Sequence, residues 1–542
     1  MKVILAADLP ANPSLEQLRK QAKEFRDGVR TGHARFVGDV RELHPRVADA
    51  AAAGWDAFTL SDAQLVVARF YGFASWRRLR EHLDMVARYT RSTRPPTDQD
   101  GLAGEFLRLA CLTHRLGRGA DEDADDLRRH ARARGLLAAH PELATADIYT
   151  AAAVGVVAAA RSFLLADASL ADTEGGPYGW PPLLYLTSSR LNSPVHSPVE
   201  VARLLLAYGA DPNAGYLPDG SPPPVTALSG LFRGYRDPVN QPAHQHSLPL
   251  ARLLLEAGAD PNDPCAVDGT ATYPQDDASL ALLLDHGLGR GSGGPWRARL
   301  GRRQPTPVRL VQDELRNAAE RNLTDRVRLL LPLCIDLGID LDTTEGIVSS
   351  ERRPTAYDLA VLNGNTDIAD MLAAAGARTR PLEPTDELVA ACLRADRPTV
   401  QRLLTACPGL AARAVASRPD SGIWSSPLHH AAYLNRPEAV RLLAAVGFPV
   451  NGSRQSPLHV AALCGHLDIV KLLIELGGDP DVEAIDPDTP DRSGPPNPTP
   501  LGWAQYTNQH AVVAYLTSRA ERPHRGQESR GRTTESSTLR GD

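Results

Sequence analysis

The sequence predicts an all-α protein built as a row of stacked helix pairs, and three observations predict it. The chain writes nearly one sentence twice, SPLHHAAYLNRPEAVRLLAAVGFPV from Ser426 and SPLHVAALCGHLDIVKLLIELGGDP from Ser456. Each copy holds a short segment with apolar residues at spacings of three and four, a Gly or Asn, and a second, more apolar segment of the same period. The apolar content of 42% comes with only 5% aromatic residues, so it is mostly Ala, Leu and Val, which suit close helix packing. At 542 residues the chain exceeds one compact core, so it holds several domains or one extended array.

The elements of the better copy follow from its residues. Ser456 is an N-cap and Pro457 fits the first helical position, where a missing N–H costs nothing. Leu458, Ala461 and Ala462 form a narrow apolar face, and Gly465 closes the helix. Leu467, Ile469, Val470, Leu472, Leu473 and Leu476 define the second helix. Gly477 and Gly478 stand where a left-handed C-cap is wanted, and Asp479-Pro480 starts a turn. Neither helix buries its face alone, so each pair must stack on the next.

This string resembles the ankyrin repeat, whose pattern is T-P-L-H-x-A-A-x-x-G-H, then a V-x-x-L-L helix and G-A-D-P-N. Pro457, Leu458, His459, Ala461, Ala462, Gly465, His466, Val470, Leu472 and Leu473 fall in place. The copy before it keeps Pro427, Leu428, His429, Ala431, Ala432, Val440, Leu442 and Leu443, with Asn435 for the Gly; Asn tolerates a left-handed backbone. The resemblance makes His429 and His459 structural, tying neighbouring repeats by hydrogen bonds.

Weaker copies follow the pattern outward. Thr499-Pro500-Leu501-Gly502-Trp503-Ala504 opens one, and 355–377, 385–404 and 313–333 keep the two-helix rhythm. ARLLLAYGADPN ends at Asn213 and ARLLLEAGADPN at Asn262; residues 148–167 look like another pair and DDASLALLLDHGL, near residue 280, like a degenerate one. About ten pairs cover most of residues 145–520. Gly209 and Gly258, which open the two GADPN strings, lie 49 residues apart, against a family period of about 33. The excess sits in polar, Pro-rich insertions such as PDGSPPP (218–224), read as edge loops.

In chain order, residues 1–90 form a helical N-terminal module. SLEQLRKQAKEFRDGVR carries Leu15, Leu18, Ala22 and Phe25 on one face; Ser61 and Ser75 are expected as caps, with Gly72 as a break. The module resembles a helical leader with a GFASW-type motif found ahead of ankyrin arrays in some bacterial proteins, and Phe73 and Trp76 are read as core anchors. Residues 91–101 form a linker and 102–144 a helical cap. Repeats fill 145–288, a first sub-stack. The Gly/Arg/Pro-rich segment 289–311 is read as a hinge or insertion, or, on a sharper reading, an anion patch. Repeats resume over 312–520, and the tail 521–542 is expected to be disordered.

Chemistry is hard to find in this sequence. No phosphate-binding loop, H-E-x-x-H, G-x-S-x-G or paired Cys motif occurs. Only four of the 59 basic residues are Lys, which disfavours Lys-dependent chemistry. His244 and His246 lack a supporting carboxylate or Cys cluster, so neither metal nor cofactor is expected. A net charge of −6 argues against nucleic acid. The six cysteines read as reduced core residues of a cytoplasmic protein. Neither a signal-peptide core nor a membrane span is expected.

The expected function is therefore non-catalytic: a monomeric scaffold or adaptor holding a protein partner on a concave repeat surface. The outward positions of the C-terminal repeats are Trp424, His430, Tyr433, Leu434, Arg454, Gln455, Val460, Leu463, Trp503 and Tyr506, the contact residues expected. Two other classes stay open. One is an enzyme or enzyme regulator with its activity in the N-terminal module; the other is an exported effector acting on a host protein.

Overall fold

The computed structural model describes residues 9, 14–46, 51, 54–91, 101–114, 127–191, 195–234, 239–272, 276–342, 354–418, 426–452, 455–484 and 497–520. The expected linker beyond Arg91 and the tail after residue 520 lie outside them. The described chain is about 64% helical with almost no sheet, an all-α stack of paired helices behind an N-terminal helical region. It divides into two compact units. One holds Met1–Val361 and Asn365–Pro381; the other holds chiefly Leu382–Pro490 and Gly494–Asp542. One buried cluster runs from Phe106 to Ala377 and a separate one from Leu388 to Leu516, so the division falls near residue 382 and not at 289–311.

The first unit opens with helices Leu15–Arg30, Ala34–Leu43, Leu60–Phe70 and Trp76–Tyr89. Leu18, Ala22, Phe25 and Val29 recur at spacings of four, three and four and are buried together. They share a core with Val40, Phe58, Val67 and Leu79, against which Phe73 and Trp76 pack half-buried. The N-cap expected at Ser61 falls on Thr59, because Asp62, three residues on, closes a capping box with Thr59. Helices Gly101–Ala110 and Leu127–Ala139 follow, and Phe106, Leu107 and Ala133 join the core of the repeats.

Paired helices then stack through this unit: Ile148–Val154 with Val157–Ala166, Pro182–Ser188 with Pro198–Ala207, Pro264–Ala271 with Asp277–Asp285, and Pro307–Glu320 with Thr324–Asp336. Ahead of Ser247–Glu256 the first helix shrinks to one turn, Ser229–Leu231. The insertion around PDGSPPP is more than an edge loop. Strand Gly215–Pro218 pairs antiparallel with Val225–Thr226, and Thr90–Arg91 adds to it in parallel. Tyr216 and Leu217 are buried, so this hairpin is packed. Residues 289–311 likewise fold, as helix Gly294–Leu300 and a one-turn helix Gly301–Arg303. Trp296 and Leu300, one helical turn apart, are buried.

Among the described residues the second unit holds four pairs: Pro384–Leu393 with Arg397–Ala406, Pro427–Tyr433 with Pro437–Val446, Pro457–Cys464 with Leu467–Glu475, and Pro500–Tyr506 with His510–Ala520. Each first helix ends on a residue in left-handed backbone. Ala395, Asn435, Gly465 and Asn508 have φ of 59°, 54°, 76° and 58°. Gly465 has a further reason to lack a side chain, since a Cβ there would meet Gln509 Oε1 at 2.2 Å.

Side chains at fixed repeat positions tie each pair to the next through backbone atoms. The residue after the left-handed turn reaches the last first-helix carbonyls of the preceding pair. His466 donates to Tyr433 O at 3.0 Å, Gln509 to Leu463 O at 3.3 Å and Arg436 to Leu393 O at 3.3 Å. On the other turn, Asn451 donates to Gly477 O at 3.0 Å and accepts from Asp479 N at 2.9 Å. Asn213 makes the same pair of bonds with Gly258 O and Asp260 N, while Asn262 accepts from Gly289 N at the matching place and donates to Arg290 O, one residue beyond it. Because the partners are backbone atoms at fixed repeat positions, an insertion elsewhere in the period leaves the register intact. That is how pairs 49 residues apart stack as if the period were regular.

Candidate functional site

The candidate site is the open side of the first helices in the second unit. Measured from the left-handed residue, Tyr433, Leu463 and Tyr506 each stand two positions before it and occupy one repeat position. All three are partly exposed. Five positions before it stand His430, Val460 and Trp503. Here the expectation of an outward row needs correcting: His430 is 5% and Val460 1% exposed, and Gln455 is 8% exposed. The helix turns this position toward the neighbouring pair, where apolar burial favours it. Trp503, on the last described pair, stays partly open, as do Leu434 and Leu463. Trp424 and Arg454 lie outside the described residues.

Trp503 and Tyr506, three residues apart on one helix, stand edge-to-face with ring centroids 6.4 Å apart. The indole Nε1–H of Trp503 is buried without a hydrogen-bond partner, and so is Nε2 of His430. Burial, followed by the charge of Arg436, pushes the His430 pKa down to about 3, so its ring is neutral. A row of partly exposed aromatic and aliphatic side chains suits contact with another polypeptide, because Trp and Tyr anchor interfaces.

Pro427, Leu428, Pro457, Leu458 and Leu473 are buried, and Gly465 caps its helix. His429 bonds through Nε2 to the carbonyl of Gln455, and His459 through Nε2 to that of Pro498 at 2.9 Å. His459 also accepts at Nδ1 from Ser456 N at 3.1 Å. Those two partners assign the proton to Nε2, and burial pushes its pKa down to about 4. Cys464 stays a thiol, its pKa pushed up to about 12 by burial, so its closeness to His466 in sequence makes no nucleophile.

Sequence reasoning missed one set of polar residues in the first unit, around Arg326. Arg326 is fully buried and bonds to Glu314, to Asp277 at 2.8 Å and to Thr270 O at 3.1 Å. His244 is buried too and accepts at Nδ1 from His246 N at 3.0 Å. Arg326 does not break the apolar period of its helix strongly enough to be noticed, and the burial of His244, read from sequence only as lacking a metal-binding cluster, has no local signal. Among the described residues no group of three or more His, Cys, Asp or Glu is placed to hold a metal ion. No helix of the described residues is long and apolar enough to cross a membrane.

With this geometry in view, a family model described as ankyrin repeats matches residues 388–484, in three copies. The match spans the first three pairs of the second unit. The fourth pair, Pro500–Tyr506 with His510–Ala520, lies beyond it but uses the same bonds, with Thr507 and Gln509 both reaching Leu463 O. None of the curated proteins matches the chain. Ankyrin repeats are protein–protein interaction modules, and the second unit carries them.

Proposed function

We propose that the protein is a non-catalytic scaffold or adaptor, working in the cytoplasm, whose second unit holds a protein partner on the concave side of its first helices. One observation carries the reading. Tyr433, Leu463 and Tyr506 recur at a single repeat position and remain partly open, while Leu428, Leu458 and Ala504 of the same helices are buried. A repeat needs the buried set to stack; the open set contributes little to stacking and is free to vary with the partner. The strongly shifted groups near this face support a binding role over catalysis. His430 and His459 are held neutral by burial, and His459 is committed to two backbone atoms.

The test is affinity capture from the source cells with the wild-type chain and with Tyr433→Ala/Leu463→Ala/Tyr506→Ala. A protein recovered only by the wild type, from two chains with the same melting profile, is the expected result. Equal recovery removes this face from consideration.

A further inference from the structure

The first unit carries three pieces that no repeat requires: the loop at 174–179, the hairpin Gly215–Pro218 with Val225–Thr226, and the helix Gly294–Leu300. Together they enclose one segment of the N-terminal module, Met85–Arg91. Val86 is buried in a small cluster with Leu217, Trp296 and Leu300, joined by Met85 and Tyr89. Tyr89 meets Trp296 with centroids 5.0 Å apart at 66°, and the Arg299 guanidinium lies over both rings, at 4.8 and 4.9 Å. Trp296 is held in place by its own Nε1–H, which donates to Asn213 O at 3.0 Å. Gly215 lets the indole lie on the strand, since a Cβ there would stand 2.9 Å from Trp296 Cζ2.

Beyond the helix the segment turns extended. Thr90 and Arg91 pair in parallel with Leu217 and Pro218, at the edge of the hairpin. Glu174 receives two guanidinium groups, Arg88 at 3.0 Å and Arg91 at 2.8 Å, and Arg91 Nε donates to Gly179 O at 3.3 Å. An edge strand for main-chain pairing, an aromatic anchor and a carboxylate for arginine make up a peptide-recognition site of the strand-addition kind.

We propose that this is a peptide-binding site whose resident ligand is the chain's own Met85–Arg91. It accepts in exchange a basic peptide of the same pattern, an aromatic residue at a helix end followed by an extended arginine. The module does not depend on the site for its fold, because its own core, from Leu18 to Leu83, is a separate cluster. The hold is modest: two paired strand residues, a four-residue apolar cluster and ion pairs whose side chains are 17–59% exposed and weakened by salt. What keeps the segment seated is tethering, which gives it a local concentration of roughly millimolar order. Seated, it covers Trp296 and the hairpin edge; displaced, it exposes them to the partner. The site belongs to the first unit alone and is independent of the face on the second.

The experiment uses the full chain and a fluorescent peptide of residues 76–92. In the docking-defective chain Tyr89→Ala/Arg91→Glu the site is vacant, whereas in the wild type it is filled. The peptide is expected to bind the docking-defective chain at least about tenfold more tightly than the wild type. Adding Glu174→Lys on the receiving side should abolish that binding. Equal binding to both chains, or no binding to a docking-defective chain that melts as the wild type does, overturns the proposal. Should the docking-defective chain fail to fold, Glu174→Lys alone decides. Amide exchange across Met85–Arg91 must then rise about tenfold while that of Leu15–Arg30 holds, and unchanged exchange overturns it.

Discussion

His459 donates from Nε2 to the carbonyl of Pro498 at 2.9 Å while its Nδ1 accepts from the backbone N–H of Ser456 at 3.1 Å. One neutral ring thus closes the N-terminus of its own helix and fastens the chain that enters the next pair. His459→Ala leaves the buried N–H of Ser456 without its ring acceptor, while Pro498 O keeps the N–H of Ala484 at 2.9 Å. A loss of about 1–3 kcal/mol follows from an unsatisfied buried group, read as a shifted denaturant midpoint with an unchanged slope.

The same ring makes the second unit acid-sensitive. Burial lowers the folded pKa of His459 to about 4, and an unfolded His titrates near 6.5. Between those values the unfolded chain binds the proton and the folded one does not. The contribution to stability is therefore complete above about 6.5 and lost as pH falls from there toward 4. From pH 7 to pH 5 this histidine should withdraw about 2 kcal/mol. His459→Gln keeps an N–H but gains no proton, so its unfolding midpoint should change less between those two pH values. A difference as large as the wild type's would contradict the assignment.

Leu473, fully buried, lies in the core that runs from Leu388 to Leu516 and is separate from the core of the first unit. Leu473→Ala should cost about 2–5 kcal/mol. Because repeats couple chiefly to their neighbours, protection from hydrogen exchange should fall across residues 426–520 while residues 145–290 hold. Uniform loss along the whole chain would contradict two independent cores.

The pairs with complete wording, at Ser426 and Ser456, were legible to the residue, because Pro, His, Ala and Gly at those positions each answer a backbone demand. The degenerate pairs were legible only as rhythm. Helix Pro264–Ala271 escaped because Asp268, Gly269 and Thr270 interrupt its apolar period, and burial by neighbours overrides that local weakness. The hairpin at 215–226 and the helix at 294–300 escaped for another reason. Their order comes from contacts distant in sequence, Tyr216 OH donating to Thr113 O at 2.8 Å and Trp296 Nε1 to Asn213 O at 3.0 Å, and no local pattern reports such partners. On the candidate face, the repeat pattern located the right helices. It did not separate the position of Tyr433 and Leu463, which stays open, from that of His430 and Val460, which neighbouring pairs close over.

Arg326 sets a last test, because its charge is buried among the apolar residues of the first unit. Its side chain is wholly inaccessible and that of Glu314 4% exposed, while Asp277, its other carboxylate partner, is 40% exposed. Glu314→Ala strands a buried guanidinium beside one half-solvated carboxylate, which should cost about 3–5 kcal/mol. Replacing both members, as in Glu314→Leu/Arg326→Met, removes the desolvation burden of two charges along with their attraction. The double variant should then be more stable than Glu314→Ala and fall within about 1–2 kcal/mol of the wild type. Chemical denaturation of the three chains decides it. If the double variant is the least stable, the pair contributes attraction beyond its desolvation, and Asp277 and Thr270 O, at 2.8 and 3.1 Å from Arg326 Nη1, form with it a network that apolar packing does not replace.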